Sequence, residues 1–320
     1  MQKTFFMAMA GAAALAMSGA AADPQALADP NFAPDPNGET LQLDVEHFQR
    51  VTVPVQIGGT GPYRFLVDTG AQATVISREL ADELSLNDRG QATLIGMASR
   101  RPVEVAMIPG FSLGRRTMTI RQAPLVDRQN IGGAHGILGL DSLQDQRVVI
   151  DFVKEEIHVT DVTDKRKNSG YEIVVQAQPK LGQLIITDAR VNGIETTVII
   201  DTGSQGTIGN PALLETLRRT RQIGQTDLID INGVRMSTDV YKAGKLTVGQ
   251  MQLRNFPILF ADSPPFHALG LSDTPALVLG VNELSVFRRV AIDFKDRKVM
   301  FDLPRGLGFG NLRSTTVGGF

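Results

Sequence analysis

An apolar string ending in Asp-Thr-Gly occurs twice in this chain, and the two copies agree well beyond the tripeptide. Phe65-Leu66-Val67-Asp68-Thr69-Gly70-Ala71-Gln72-Ala73-Thr74-Val75 returns 133 residues later as Val198-Ile199-Ile200-Asp201-Thr202-Gly203-Ser204-Gln205-Gly206-Thr207-Ile208. A given tripeptide arises by chance in about one chain in twenty-five of this length. Two copies with the same lead-in are therefore a repeat rather than an accident. The match continues downstream. Gly136-Ile137-Leu138-Gly139 leads to Val149-Ile150-Asp151-Phe152, and Leu277-Val278-Leu279-Gly280 leads to Ala291-Ile292-Asp293-Phe294. These landmarks are 141 residues apart, so the second half carries a small insertion. Two equivalent halves of about 120–130 residues each fall within ordinary domain sizes.

The local patterns are mostly those of strands. Alternating segments precede each Asp-Thr-Gly: Val53 to Ile57 before Gly58-Gly59, and Leu184 to Val191 before Asn192-Gly193. Asn-Gly favours the turns whose twist matches a hairpin. Thr117 to Ile120 and Gln252 to Leu259 also read as strands. One short helix is expected after each motif. Ser77 can cap a helix from Arg78 to Leu86, and Asn210 can cap one that starts at Pro211. The organisation expected is a leader at 1–22, an extended or disordered segment at 23–44, a first lobe at 45–162, a linker at 163–170, a second lobe at 171–303 and a Gly-rich tail at 304–320.

An aspartate between apolar strand residues and a Thr-Gly turn is costly to build for stability alone. The carboxylate loses hydration, and the glycine lets backbone turn tightly toward it. Two such carboxylates brought face to face cannot both ionise easily, so the pair shares one proton, with one apparent pKa lowered and the other raised. The ionised member can take a proton from water while the protonated member donates to a carbonyl oxygen. That is general acid–base hydrolysis of an amide without a covalent intermediate.

On these residues the chain resembles the aspartic proteases, specifically the bacterial retropepsin-like members, in the single-chain two-lobed arrangement of pepsins. Asp68-Thr69-Gly70-Ala71 with Thr74-Val75 is similar to the retropepsin form of the motif. Gly136-Ile137-Leu138-Gly139 and Leu277-Val278-Leu279-Gly280 resemble the element that passes behind each catalytic loop. The resemblance implies an all-β bilobal acid-protease fold: two pseudo-twofold-related β-barrel lobes with a few short helices. It implies that Asp68 and Asp201 form the dyad, that Thr69 and Thr202 brace the two loops, and that Gly70 and Gly203 set backbone N–H groups near the carboxylates. A flap is expected over the cleft in at least one half, and spacing points to Gly96 and Met97 in the first and to Asn232 and Gly233 in the second, though either could be an ordinary hairpin. The activity implied is endopeptidase cleavage of a protein or peptide substrate by a monomer, with no metal or cofactor. The alternative is a module of the same fold that grips a peptide without cutting it.

The first residues bear on location. Lys3, the apolar run Phe5 to Met17 and the small residues Ser18 to Ala22 form the pattern of a secretory signal, with cleavage expected after Ala22. The run is short for a membrane span, so no stable insertion is expected after cleavage. The expected location is periplasmic or extracellular. The sequence has no cysteine, which excludes disulfides and a lipidated leader. Its formal net charge is −2, and loss of Lys3 with the leader makes it more negative, against the basic face that nucleic-acid binding needs. Residues 23–46 hold acids but no Lys or Arg, so a basic pro-segment covering an acidic cleft is not expected.

Other motifs yield to simpler readings. Gly110-Phe111-Ser112-Leu113-Gly114 fits G-x-S-x-G, but a strand pattern follows where a nucleophile elbow needs a helix, so Ser112 reads as structural. The second half keeps the turn glycine, Gly249, without the serine. His47, His135, His158 and His267 show no metal-ligand spacing, and Gly306 to Gly310 opens no helix that could cradle a dinucleotide.

Overall fold

The computed structural model describes residues 5–7, 11–13, 39–42, 52–143, 146–161, 171, 173–180, 183–217, 220–304 and 312–313. The expected cleavage point after Ala22 and the expected linker 163–170 lie outside the described residues. Of the segment 23–44, residues Glu39–Gln42 are described and form an edge strand. Within the tail, Leu312–Arg313 pairs with Met251–Phe260 as a short strand.

Each half closes six strands on themselves. In the first, the spatial order is Arg100–Leu113, Thr52–Ile57, Thr60–Val67, Gly136–Leu138, Val75–Ser77 and Arg116–Val126, and the last pairs back to the first. In the second it is Arg235–Val248, Gln183–Val191, Ile194–Ile200, Ala276–Leu279, Ile208–Gly209 and Met251–Phe260, again returning to the first. The two orders match strand for strand. Inside each closed sheet lies an apolar core. Val53, Phe65, Ile108 and Phe111 belong to the first, and Val198, Leu246, Phe256 and Leu277 to the second, all almost fully buried. Alternation in the strands accounts for this: Thr52–Ile57 turns every second residue inward over most of its length.

The turns follow local chemistry. Asn192 and Gly193 adopt φ of 49° and 90°, and Gly58 and Gly59 adopt 58° and 80°, the left-handed backbone that a two-residue hairpin requires. Ser112 sits in the Arg100–Leu113/Arg116–Val126 hairpin, its Oγ 2.8 Å from Thr117 Oγ1, as a structural residue. Ser77 accepts the Leu80 N–H, and Asn210 accepts the Leu213 N–H with Pro211 at the first helical position. The first helix ends at Glu83 rather than Leu86. Ser85 turns to φ 52°, and the Leu86 N–H reaches back to the Ala81 carbonyl at 2.9 Å, a left-handed stop that still seats Leu86 in the core.

A third sheet joins the halves. Its six strands run Ile173–Gln176, Lys298–Asp302, Arg289–Asp293, Gln146–Asp151, Glu156–Asp161 and Glu39–Gln42. The central pair is antiparallel and crosses between the lobes, with Val149 opposite Ala291 and Arg147 opposite Asp293. Arg147 pairs with the buried Asp293 carboxylate at 2.7 Å. The repeated Ile-Asp-Phe strands therefore meet each other and fix the lobes back to back. Among the described residues no helix is long and apolar enough to cross a membrane.

Candidate active site

The two aspartates reach the lobe interface by the same local route. Thr60–Val67 runs parallel to Gly136–Leu138, and the Asp68 N–H extends that ladder to the Leu138 carbonyl at 3.1 Å. Ile194–Ile200 runs parallel to Ala276–Leu279, and the Asp201 N–H reaches the Leu279 carbonyl at 3.1 Å. The glycine ending each apolar element is required by close approach. A Cβ on Gly139 would overlap the Ala73 backbone, and one on Gly280 would overlap the Gly206 backbone.

The loops then lock together through their threonines. Thr69 Oγ1 donates to the Ile200 carbonyl at 3.0 Å and accepts the Thr202 N–H at 3.2 Å. Thr202 Oγ1 donates to the Val67 carbonyl at 2.7 Å and accepts the Thr69 N–H at 3.1 Å. All four bonds are buried, and each hydroxyl is used as both donor and acceptor. Each aspartate also receives a backbone N–H from its own turn: Gly70 to Asp68 Oδ1 and Gly203 to Asp201 Oδ1, both at 2.8 Å. A second donor, the Ser204 N–H, reaches Asp201 at 3.2 Å.

The glycines show how close the two carboxyls come. A Cβ on Gly70 would stand 2.6 Å from the Asp201 carboxyl carbon, and one on Gly203 would overlap the Asp68 carboxyl. Asp68 and Asp201 are both 0% exposed. Burial, then the negative charge of Asp68, pushes the Asp201 carboxyl well above the usual carboxylate range, against the pull of the Gly203 and Ser204 N–H groups.

Behind each loop stands a threonine on an acid. Thr74 Oγ1 accepts the Gly139 N–H and donates to Asp141 at 2.6 Å. Thr207 Oγ1 accepts the Gly280 N–H and donates to Glu283 at 2.5 Å. Neither Asp141 nor Glu283 carries a motif of its own in the sequence. Thr74 and Thr207, at equivalent places in the repeat, are the signal that leads to them.

Hairpins stand at both positions expected for a flap. One is the hairpin of Arg89–Ile95 and Arg100–Leu113, with Gly96 and Met97 in its tip, and the other is that of Arg221–Asp230 and Arg235–Val248, with Asn232 and Gly233 in its tip. The tips cross to opposite lobes. Met97 is buried in a cluster with second-lobe residues such as Ile199 and Val240, and Ile231 in one with first-lobe residues such as Leu94 and Ile131. A latch unrecognised in the sequence joins them. Buried Asp230 takes its own tip's Asn232 and Val234 N–H groups on Oδ1, and the Ala98 N–H and Ser99 hydroxyl of the other flap on Oδ2. Asn232 Nδ2 donates to Ser99 Oγ at 2.9 Å. Gly96 lies against Asp230, and Gly233, at φ 72°, lies against Asn130 of the first lobe.

The remaining histidines are placed structurally. His135 accepts the Arg64 N–H on Nδ1, and His267 bridges Asp262 and Ser272 at the surface. His47 lies outside the described residues. Among the described residues no cluster of three or more His, Asp or Glu could hold a metal.

The chain matches the family described as Aspartyl protease over residues 53–142 and 187–282, one stretch in each lobe and more than half the chain together. It belongs to that family, with the mostly-β bilobal fold of its retropepsin-like members. Among curated proteins none matches the chain. Among solved structures, a retropepsin-like aspartic protease from Rickettsia conorii is similar at 17% identity over 41% of this chain and 90% of that one, with a TM-score of 0.29.

Proposed function

We propose that this chain is an aspartic endopeptidase that hydrolyses peptide bonds with a water activated between Asp68 and Asp201. The observation that carries the reading is the reciprocal Thr69–Thr202 brace, which holds two fully buried aspartates against each other's glycine turn. A structural turn has no use for that arrangement, since a pair of buried acids is costly unless their shared proton is used.

In this step one carboxyl of the pair carries the shared proton and the other is ionised. The ionised member takes a proton from water as the water oxygen bonds to the peptide carbonyl carbon, while the protonated member donates its proton to the carbonyl oxygen. Collapse of the resulting gem-diol breaks the C–N bond. The proton taken from water goes to the leaving amine, and a gem-diol hydroxyl returns a proton to the other carboxyl, which restores the pair. The flaps exclude bulk water, and exclusion strengthens each of these charge interactions. The substrates proposed are envelope or extracellular proteins, reached after export by the leader.

Cleavage of a peptide library across pH 3 to 8 by the chain freed of residues 1–22 tests this, with Asp68→Asn and Asp201→Asn alongside. The expected result is cleavage by the parent as a monomer, falling as pH rises through the raised pKa of the pair, and no cleavage by either variant with its fold intact. A folded parent that cuts nothing but binds peptides would overturn the hydrolytic reading in favour of a binding module.

A further inference from the structure

The two hairpins over the cleft differ in charge at equivalent places. In the first, Ile95 stands opposite Arg100 at the base of the tip, and Leu94 opposite Arg101 one pair further out. In the second, Ile229 stands opposite Arg235, and Leu228 opposite Met236. Arg101 and Met236 are therefore equivalent. Met236 is half-buried and packs on a cluster that holds Leu228, Ile199 and Val278. Arg101 is exposed and has no carboxylate partner among the described residues.

The face that Arg101 occupies follows from the ladder. Residues opposite each other in an antiparallel pair point to one face, as do residues two apart on a strand. Arg101 shares its face with Leu94 and Val103. Leu94 is buried with Ala71, three residues beyond Asp68, and with Ile137, whose neighbour Leu138 accepts the Asp68 N–H. Val103 packs on the same cluster. Arg101 thus stands on the side of the hairpin that looks toward the first catalytic loop, two residues past Ser99 of the tip, where that side opens to solvent.

The fold does not need a cation there, since Met236 fills the equivalent place. Neighbouring guanidiniums are engaged: Arg78 with Glu104, Arg89 with Asp82, and Arg235 with Asp227 at 2.9 Å. Arg100 is the counterpart of Arg235, on the other face from Arg101, and is exposed because Thr93 stands where the second hairpin has Asp227.

We propose that Arg101 is a specificity-determining residue of the cleft, selecting substrates with an Asp or Glu side chain under the first hairpin, on one side of the scissile bond. A guanidinium offers a carboxylate two parallel N–H donors, which a neutral amide cannot match. Met236 makes no such demand, so the preference is one-sided although the cleft is built from a repeat. The inference rests on reading this cleft as the substrate groove.

The test uses the chain freed of residues 1–22, the form proposed to follow export, as parent and as Arg101→Gln, Arg101→Glu and Arg235→Gln. Short synthetic peptides of neutral residues carry either Glu or Gln at one position, moved stepwise across the cleaved bond. At a position on one side only, the parent is expected to favour Glu by about tenfold in kcat/KM at low salt, and less as salt screens the pair. Arg101→Gln should bring that ratio to about one, Arg101→Glu should reverse it in favour of Lys, and Arg235→Gln should leave it as in the parent. Urea midpoints equal to the parent's show that the variants fold, and Arg101→Glu decides if Arg101→Gln does not. Cleavage with no preference for Glu, or with the same preference in folded Arg101→Gln, would overturn the selection and leave the hydrolytic reading intact. Labelled forms of the same peptides are also bound to Asp68→Asn and to Asp68→Asn with Arg101→Gln, read by anisotropy. A preference for Glu that is lost in the double variant, with no cleavage by the parent, would uphold the selection and overturn hydrolysis.

Discussion

The two lobes place their aspartates in nearly the same way yet support them differently from behind. In the first, Thr74 leans on Asp141, an exposed acid that accepts the threonine's hydroxyl and N–H together. In the second, Thr207 leans on Glu283, which is fully buried and receives the hydroxyl on one oxygen, while its other oxygen has no partner among the described residues. Burial pushes the Glu283 carboxyl up to about 7. Burial pushes the Asp141 carboxyl up as well, against the pull of the Thr74 hydroxyl and N–H, but only the longer side chain is turned fully inward. Symmetry is thus kept at the reacting groups, where two carboxyls must face each other. It is broken one layer out, where the second loop acquires a group that titrates near neutral pH.

The most severe way to break the front-side symmetry is to fill the motif glycines. Gly203→Ala drives a Cβ into the Asp68 carboxyl, and Gly70→Ala sets one 2.6 Å from the Asp201 carboxyl carbon. Displacing a general acid or base costs about 10²–10⁴-fold, so both variants are expected to lose about 10³-fold in kcat/KM on a cleaved peptide, with Gly203→Ala the worse. Equal, mild losses would show that the carboxyls can move aside.

Behind the loops the lobes are expected to diverge with pH. Glu283 holds its proton up to about 7 in the fold but only to 4.5 in the unfolded chain. Between those values the folded state binds more protons, so stability is fully present below 4.5 and declines as pH rises through about 7. The amount is on the order of 3 kcal/mol. Urea unfolding from pH 4 to 8 should show a decline in the parent, to which the raised Asp201 carboxyl adds, and Glu283→Gln should remove the part centred near 7. Asp141→Asn should leave it in place.

Thr69→Ala and Thr202→Ala sharpen the comparison in the opposite direction, because the brace is reciprocal. Each removes a buried donor and leaves the partner N–H without its acceptor, at about 1–3 kcal/mol. The two urea midpoints should fall by similar amounts, and a large inequality would mean that one lobe carries the brace alone. The smallest effect is expected at the flaps. Ser99→Ala removes one hydroxyl from the Asp230 latch but leaves the Ala98 N–H in place, at about 1 kcal/mol. Its mark should be faster hydrogen exchange at residues 95–99 rather than a shifted global midpoint.

Much of this was legible in the chain. The spacing of the repeat located both aspartates and both threonines, Asn192-Gly193 and the caps Ser77 and Asn210 marked their turns and helix starts, and the strand that follows Ser112 ruled out a nucleophile elbow there. Spacing pointed to a tip in each half, and hairpins stand at both places with their tips bonded to each other. Asp230 was hidden because its bonds to Ser99 span 131 residues and involve no repeat of residue type.

Local sequence determined the strand alternation, the turns, the doubled Asp-Thr-Gly and therefore the two-lobed mostly-β fold, since each depends on neighbours a few residues away. The tertiary structure decided which acid behind the loops would be buried and which flap residues would clasp. Those outcomes depend on solvent exclusion and on contacts between residues more than a hundred positions apart, and neither leaves a periodic trace in the chain.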